Sequence, residues 1–218
     1  MKIGIFGGTF NPIHYGHLRA AEEVREILGL EQILFIPSGR PPLKSGNIAG
    51  AVDRLTMLRL ATQRNSRFTA LDIECKRRGK SYTVHTLEML QKMFKHADLY
   101  FILGIDAFLD IPNWWKPQML FTLAHFIIIS RPDNRFQDLY SSPYISVKKS
   151  MLDELDSGKK KMFAVRLTTN KTAHLISVTD VAISSTAIRK WIKGGLSIKY
   201  LLPEGVESYI ISKRLYKR

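Results

Sequence analysis

The sequence predicts an α/β fold, a doubly wound parallel sheet with helices on both faces. Two observations carry this reading. Short apolar runs of strand length alternate with stretches in which apolar residues recur at helical spacing. Such alternation, joined by right-handed crossovers, lays helices over both faces of a parallel sheet. The first apolar run also ends in a glycine turn that leads straight into a helical pattern. Sheets of this class hold ligands there, at the carboxyl ends of strands near the topological switch.

The elements follow in order. Ile3-Gly4-Ile5-Phe6 forms the first strand, and Leu18, Ala21, Val24 and Leu28 mark a helix from near Leu18 to about Gly29. Ile33-Leu34-Phe35-Ile36 is a buried strand, followed by a rigid loop over 37–44, dense in proline and glycine. Asp53 caps a helix running through Gln63, with Leu55, Leu58 and Ala61 on one face. Residues 68–73 are strand-like, and Val84, Leu87, Leu90 and Phe94 mark the next helix. Leu99–Leu103 and Phe126–Ile129 are further strands. Residues 133–162 hold several tyrosines and lysines and read as a partly helical excursion without a site. A last strand covers 173–178. A helix over 187–193 ends at Gly194-Gly195, and a turn at Leu201-Leu202-Pro203 leads into a final helix over 206–214. Internal repeats and long linkers are missing from the sequence. Residues 1–218 are expected to form one domain whose helical C-terminal part starts near 184.

Composition narrows the class. The 218 residues are enough for one sizeable core, and 45% hydrophobic with 24% charged residues is the balance of a globular protein. Cys75 is the only cysteine, which excludes an intrachain disulfide and fits a reducing compartment. It reads as a small buried or half-buried residue, not a nucleophile. No apolar run is long enough to span a bilayer, and the chain starts directly with its first strand, so a cytoplasmic protein without a membrane partner is expected. The net charge of +14 invites a nucleic-acid reading. However, the basic clusters at 76–78, 148–149, 159–161 and 213–218 are scattered, and no nucleic-acid motif accompanies them. A positive field that draws in polyanionic nucleotides is favoured, with no nucleic acid as partner. The composition also permits a homo-oligomer.

Two segments carry the chemistry. The first is Gly7-Gly8-Thr9-Phe10-Asn11-Pro12-Ile13-His14-Tyr15-Gly16-His17. Gly7 and Gly8 lack side chains and tolerate positive φ, so backbone is expected to approach a ligand closely past the strand end. The following helix start offers open N–H groups and partial positive charge, an anion site before any side chain is considered. Pro12 restricts Asn11 to extended backbone. His14 and His17, three apart, face the same way and can donate hydrogen bonds to phosphate oxygens. No cysteine or carboxylate lies at ligand spacing beside them, which argues against zinc. The second segment, Ile183-Ser184-Ser185-Thr186-Ala187-Ile188-Arg189, combines capping hydroxyls, a helix start and a guanidinium that together can grip a triphosphate.

The first segment resembles the T/HxGH motif of the nucleotidyltransferase superfamily, and more closely that of bacterial nicotinate-mononucleotide adenylyltransferases. The second resembles their ISSTxIR motif. The resemblance implies a Rossmann-like fold of the nucleotidyltransferase type, and transfer of an adenylyl group from ATP to nicotinate mononucleotide, with Mg²⁺ carried mainly on the ATP phosphates. It assigns ATP binding to Gly7, Gly8, Thr9, Phe10, His14, His17, Ser185, Thr186 and Arg189, of which His14, His17 and Arg189 are the catalytic set. Asp106, in Gly104-Ile105-Asp106 at a strand end, reads on its own residues either as an acceptor for ribose hydroxyls or as the cap of a short helix over 107–109; the resemblance implies a nucleotide contact. Trp114 corresponds to the tryptophan that stacks on the nicotinate ring, while Trp115 and Thr83 correspond to contacts with its carboxylate. Arg131 and Lys44 correspond to nucleotide or phosphate contacts. Leu43 replaces the family's usual histidine, and His85 stands where an acidic or amide residue is common.

Three alternatives bound this expectation: phosphopantetheine adenylyltransferase, a nicotinamide-preferring enzyme, and a non-catalytic nucleotide- or RNA-binding protein on the same fold. The Ser81-Tyr82-Thr83 and Pro112-Asn113-Trp114 elements and the chain length argue against the first. The resemblance implies that the Trp115 backbone N–H faces the ring carboxylate, and such a donor argues against the second. Intact His14, His17 and Arg189 argue against the third.

Overall fold

The computed structural model describes residues 1–42, 48–132 and 134–217, so Leu43 and Lys44 lie outside the described residues. Seven strands, β1 (Lys2–Gly8), β2 (Gln32–Pro37), β3 (Phe68–Ala70), β4 (Asp98–Gly104), β5 (His125–Ile129), β6 (Met162–Arg166) and β7 (Thr172–Ile176), form one sheet. Their order is β3-β2-β1-β4-β5-β7-β6. The pairs β1–β2, β2–β3, β1–β4, β4–β5 and β5–β7 are parallel. The chain winds outward from β1 to β3, then returns to place β4 on the other side of β1. The crevice between the ends of β1 and β4 is therefore the topological switch point.

Nine helices are described: α1 (Tyr15–Leu28), α2 (Ala51–Thr62), α3 (Ile73–Lys76), α4 (Thr83–Met93), α5 (Ile105–Leu109), α6 (Pro117–Leu123), α7 (Lys149–Asp156), α8 (Ser185–Lys193) and α9 (Glu204–Ser212). Alternating strand residues feed two cores. Ile3, Ile5, Phe101 and Leu103 face Leu87, Leu90, Phe108 and Phe121 of α4–α6. Phe6, Phe35, Tyr100 and Ile102 face Ala21, Val24, Met57, Ile188 and Ile210 of α1, α2, α8 and α9. Each face of the central strands is covered, which is why they read as continuous apolar runs.

Several expectations need correction. The sheet is not wholly parallel: β6 pairs antiparallel with β7 at the edge. Its short apolar run, Met162-Phe163-Ala164-Val165, abuts the irregular stretch 133–162, and no strand is expected there from sequence. α1 starts at Tyr15, three residues before the first apolar marker, because Tyr15-Gly16-His17 carries no core side chain. Asp53 does not cap α2, whose cap position is Gly50; its carboxylate instead accepts the Tyr209 hydroxyl at 2.9 Å. The third strand stops at Ala70 and Ile73 opens α3, a short helix. Gly104, not Asp106, occupies the cap position of α5. α6, with Pro117 in its first turn, falls in a stretch left unassigned. Among the described residues no helix is long and apolar enough to cross a membrane.

Candidate active site

β1 delivers the first segment to the switch point. Gly7 and Gly8 belong to the strand, and neither takes positive φ; the left-handed residue is Phe10, at φ 47°. The chain turns there and continues through a cis Asn11–Pro12 peptide. Gly8 is favoured for a different reason. A Cβ on it would sit 3.1 Å from the Phe10 ring, which folds back over the strand end. That ring packs edge-on against Phe6 at 5.7 Å and His17 at 5.3 Å. Phe10 is thus a core residue that shapes the turn and also lines the cavity.

His14 is the extended residue preceding α1, and its carbonyl accepts the His17 and Leu18 N–H groups at 3.0 and 3.3 Å. One helical turn then sets the two imidazoles side by side, with centroids 3.7 Å apart. Both line a cavity of 1180 Å³, large enough for two nucleotides. Every candidate residue from the sequence that falls within the described residues lines this same cavity. It gathers the starts of α1, α4, α5 and α8, so open N–H groups converge on it.

The second segment is tied to the first. Ser184 caps α8, accepting the Ala187 N–H at 3.1 Å. The Ser185 hydroxyl donates to the Pro12 carbonyl at 2.8 Å, and Arg189 donates to the Asn11 carbonyl at 2.8 Å and to the Thr186 hydroxyl at 3.2 Å. With its hydroxyl proton engaged, Ser185 offers an anion its backbone N–H at the helix start.

Across the cavity, Asp106 and Arg131 meet at 3.5 Å over Gly104. A Cβ on Gly104 would fall 2.7 Å from the Arg131 guanidinium, so a larger residue there would displace the pair. Trp114 stands edge-on to Phe101, and its indole N–H donates to Asp110 at 3.0 Å, which fixes the ring plane. Trp115 is half exposed and lies tilted over Tyr82 at 5.5 Å. Thr83 opens α4 beneath them. Together these form a flat aromatic wall beside a helix start.

Burial pushes the His14 imidazole from its ordinary 6.5 down to about 3, with the Arg131 charge adding to the effect. Its Nδ1 is buried without a hydrogen-bond partner among the described residues. The neutral ring therefore has one N–H to offer. A stability consequence follows. Between pH 6.5 and about 3 the unfolded chain binds the His14 proton and the folded one does not, so stability falls as pH drops through that window and is unaffected above it. His125 and His174 are lowered by burial in the same direction and contribute to the wild-type slope. His14→Gln should flatten that slope in urea titrations between pH 7.5 and 4.5. An unchanged slope would contradict the burial account.

Sequence reasoning missed the supports of the site. Arg54, 1% exposed, donates to the carbonyls of Ala49 (2.9 Å), Thr9 (2.8 Å) and Gly39 (3.2 Å). The Ser81 hydroxyl accepts the Gly39 and Arg40 N–H groups at 2.9 and 3.2 Å, joining the loop after β2 to the start of α4. Buried Glu74 accepts the Thr86 hydroxyl at 2.6 Å. Of these only Ser81 stands in a recognisable string, Ser81-Tyr82-Thr83. A second recess of 240 Å³ joins the first at His14, His17 and Arg131 and is walled by Gly16, Ile129, Pro132 and residues 177–181. Cys75 is half-buried and burial raises its thiol pKa, consistent with an unreactive residue.

Comparison with known proteins agrees with this geometry. The cytidylyltransferase-like family matches residues 5–191. A protein of Desulfatibacillum aliphaticivorans, named a probable nicotinate-nucleotide adenylyltransferase, is 43% identical over 99% of this chain and 100% of its own. Another so named, from Desulfitobacterium hafniense strain Y51, is 42% identical over 99% of this chain and 96% of its own. Among solved structures, the nicotinic acid mononucleotide adenylyltransferase of Plasmodium falciparum complexed with NaAD superposes with a TM-score of 0.73 at 22% identity, over 99% of this chain and 97% of that one, and shows the shared fold. The chain belongs to the nicotinate-nucleotide adenylyltransferase family, within the cytidylyltransferase-like nucleotidyltransferases.

Proposed function

We propose that this protein transfers the adenylyl group of MgATP to nicotinate mononucleotide. The 5′-phosphate oxygen of the mononucleotide attacks the α-phosphorus. The bond from that phosphorus to the β-bridging oxygen breaks, and pyrophosphate leaves with the electron pair, giving nicotinate adenine dinucleotide. The observation that carries this reading is the closely packed His14–His17 pair, set between the start of α1 and the Arg189-bearing start of α8, in one cavity with an aromatic wall.

No protein nucleophile is needed; positioning and charge stabilisation do the work. His14 and His17 donate to oxygens of the α-phosphate as charge gathers there. Arg189, the Thr186 hydroxyl and the N–H groups at the start of α8 hold the β- and γ-phosphates. The backbone of Gly7, Gly8 and Thr9 lies along the phosphate chain. The recess of 240 Å³ takes the adenosine, with Asp106 and Arg131 between the two nucleotides. Mg²⁺ enters as part of MgATP. Phosphate oxygens would supply most of its ligands. A lone cysteine and the use of ATP support a cytoplasmic setting for the reaction.

Acceptor choice follows from donors. The ring stacks on Trp114, and its carboxylate meets N–H groups of Thr83 and Trp115. A carboxamide would turn its own N–H₂ toward them. Lys44 is proposed as a phosphate contact from its sequence position alone. Pyrophosphate release, measured with nicotinate mononucleotide, nicotinamide mononucleotide and phosphopantetheine, tests this. Strong turnover of the first alone is expected. Preference for either other acceptor would overturn the assignment of the aromatic wall.

A further inference from the structure

The buried end of the chain reaches into the phosphate turn. After α9, Arg214 and Tyr216 both adopt left-handed backbone, at φ 52° and 64°. Residues with a Cβ hold that conformation only where surrounding contacts compensate its cost. Here it folds the last residues back so that Tyr216 becomes 5% exposed among apolar side chains. Its hydroxyl donates to the Asn11 side-chain oxygen at 2.7 Å, joining residues 205 positions apart. The same oxygen accepts the Ala49 N–H at 3.0 Å, so the Asn11 side chain is fixed from two directions. The Asn11 backbone carbonyl, in turn, is the acceptor that aims Arg189, and the next carbonyl, of Pro12, holds Ser185.

We infer that Tyr216 is a positioning residue for the donor phosphates: its phenol sets Asn11, and Asn11 sets the direction of Arg189. A phenylalanine would fill the same apolar volume. The hydroxyl is the part that packing does not require, and it is directed at the one residue whose carbonyl orients the guanidinium. Burial also pushes the phenol pKa up, so it remains a proton donor throughout the physiological range. The role asks nothing of the acceptor side, where Trp114, Thr83 and Ser81 stand on other elements.

The inference rests on the proposed function for the identity of the bound anion, and its test separates the two. Tyr216→Phe is expected to keep a melting temperature within a few degrees of wild type. Its affinity for α,β-methylene-ATP with Mg²⁺, measured by calorimetry, is expected to fall about three- to tenfold, the loss of one buried hydrogen bond. Its KM for nicotinate mononucleotide should stay within about twofold, whereas general loosening of the fold would move both substrates together. Asn11→Ala should weaken the analogue at least as much, and adding Tyr216→Phe to it should cost nothing more. Wild-type analogue affinity in folded Tyr216→Phe overturns the inference, as do losses in the two single variants that multiply in the double. Failure of wild type to use nicotinate mononucleotide would sink the proposed acceptor while leaving the analogue comparison intact.

Discussion

His17→Ala is expected to lower kcat by about 10²–10³-fold, the range for removing one donor from a charge-stabilising site. The side chain sits in the first turn of α1, its ring against those of His14 and Phe10, and it lines the cavity. Its N–H is proposed to meet an α-phosphate oxygen whose charge grows only as the new bond forms. Ground-state binding is carried mostly by Arg189 and the helix starts, so KM for ATP should change much less than kcat. That split identifies a transition-state contact. Steady-state kinetics with saturating acceptor, alongside a melting curve to verify folding, provide the measurement. A folded variant with turnover within threefold of wild type would remove His17 from the catalytic set.

The largest stability effect is expected at Arg54. Arg54→Met keeps the stem and removes the guanidinium that holds three carbonyls from two loops, those after β1 and β2. The Thr9, Gly39 and Ala49 carbonyls would then be left without these donors in a buried place, and the cost should be about 3–5 kcal/mol. Arg54→Lys retains a charge but cannot reproduce the planar fork, and should fall between the two. Urea denaturation of the three proteins at one pH checks this. Because Thr9 belongs to the phosphate turn, the methionine variant should also lose catalytic efficiency where still folded. A loss of less than 1 kcal/mol would mean that water replaces the guanidinium at no cost.

How far the fold was legible follows from where side chains lie. β1, β2, β4 and β5 are covered on both faces, so Ile3–Phe6, Ile33–Ile36, Leu99–Leu103 and Phe126–Ile129 stand out as apolar runs. β6 lies at the edge with one buried residue, Val165, and its short run Met162–Val165 merges with the irregular stretch before it. α1 was legible from Ala21, Val24 and Leu28, yet its first turn, the part that matters for chemistry, carries Gly16 and His17 and escaped the apolar pattern. The cavity-lining residues were legible because backbone geometry and phosphate chemistry restrict them locally, in two short strings. Arg54 and Tyr216 were not, since their partners lie 45 and 205 residues away and a lone arginine or tyrosine in sequence signals nothing. The glycine argument shows the same limit. Gly8 matters, but through the Phe10 ring that folds over it instead of through its own φ.

The central claim is a single direct displacement at the α-phosphorus with nicotinate mononucleotide as nucleophile. The measurement that tests it most directly is the stereochemical course with the Sp isomer of ATP bearing sulfur on the α-phosphorus. The account predicts a dinucleotide carrying the sulfur with inverted configuration at phosphorus, and pyrophosphate without sulfur. Retained configuration would mean two displacements and an adenylylated protein group, and a dinucleotide without sulfur would mean that the α-phosphorus is not the atom attacked.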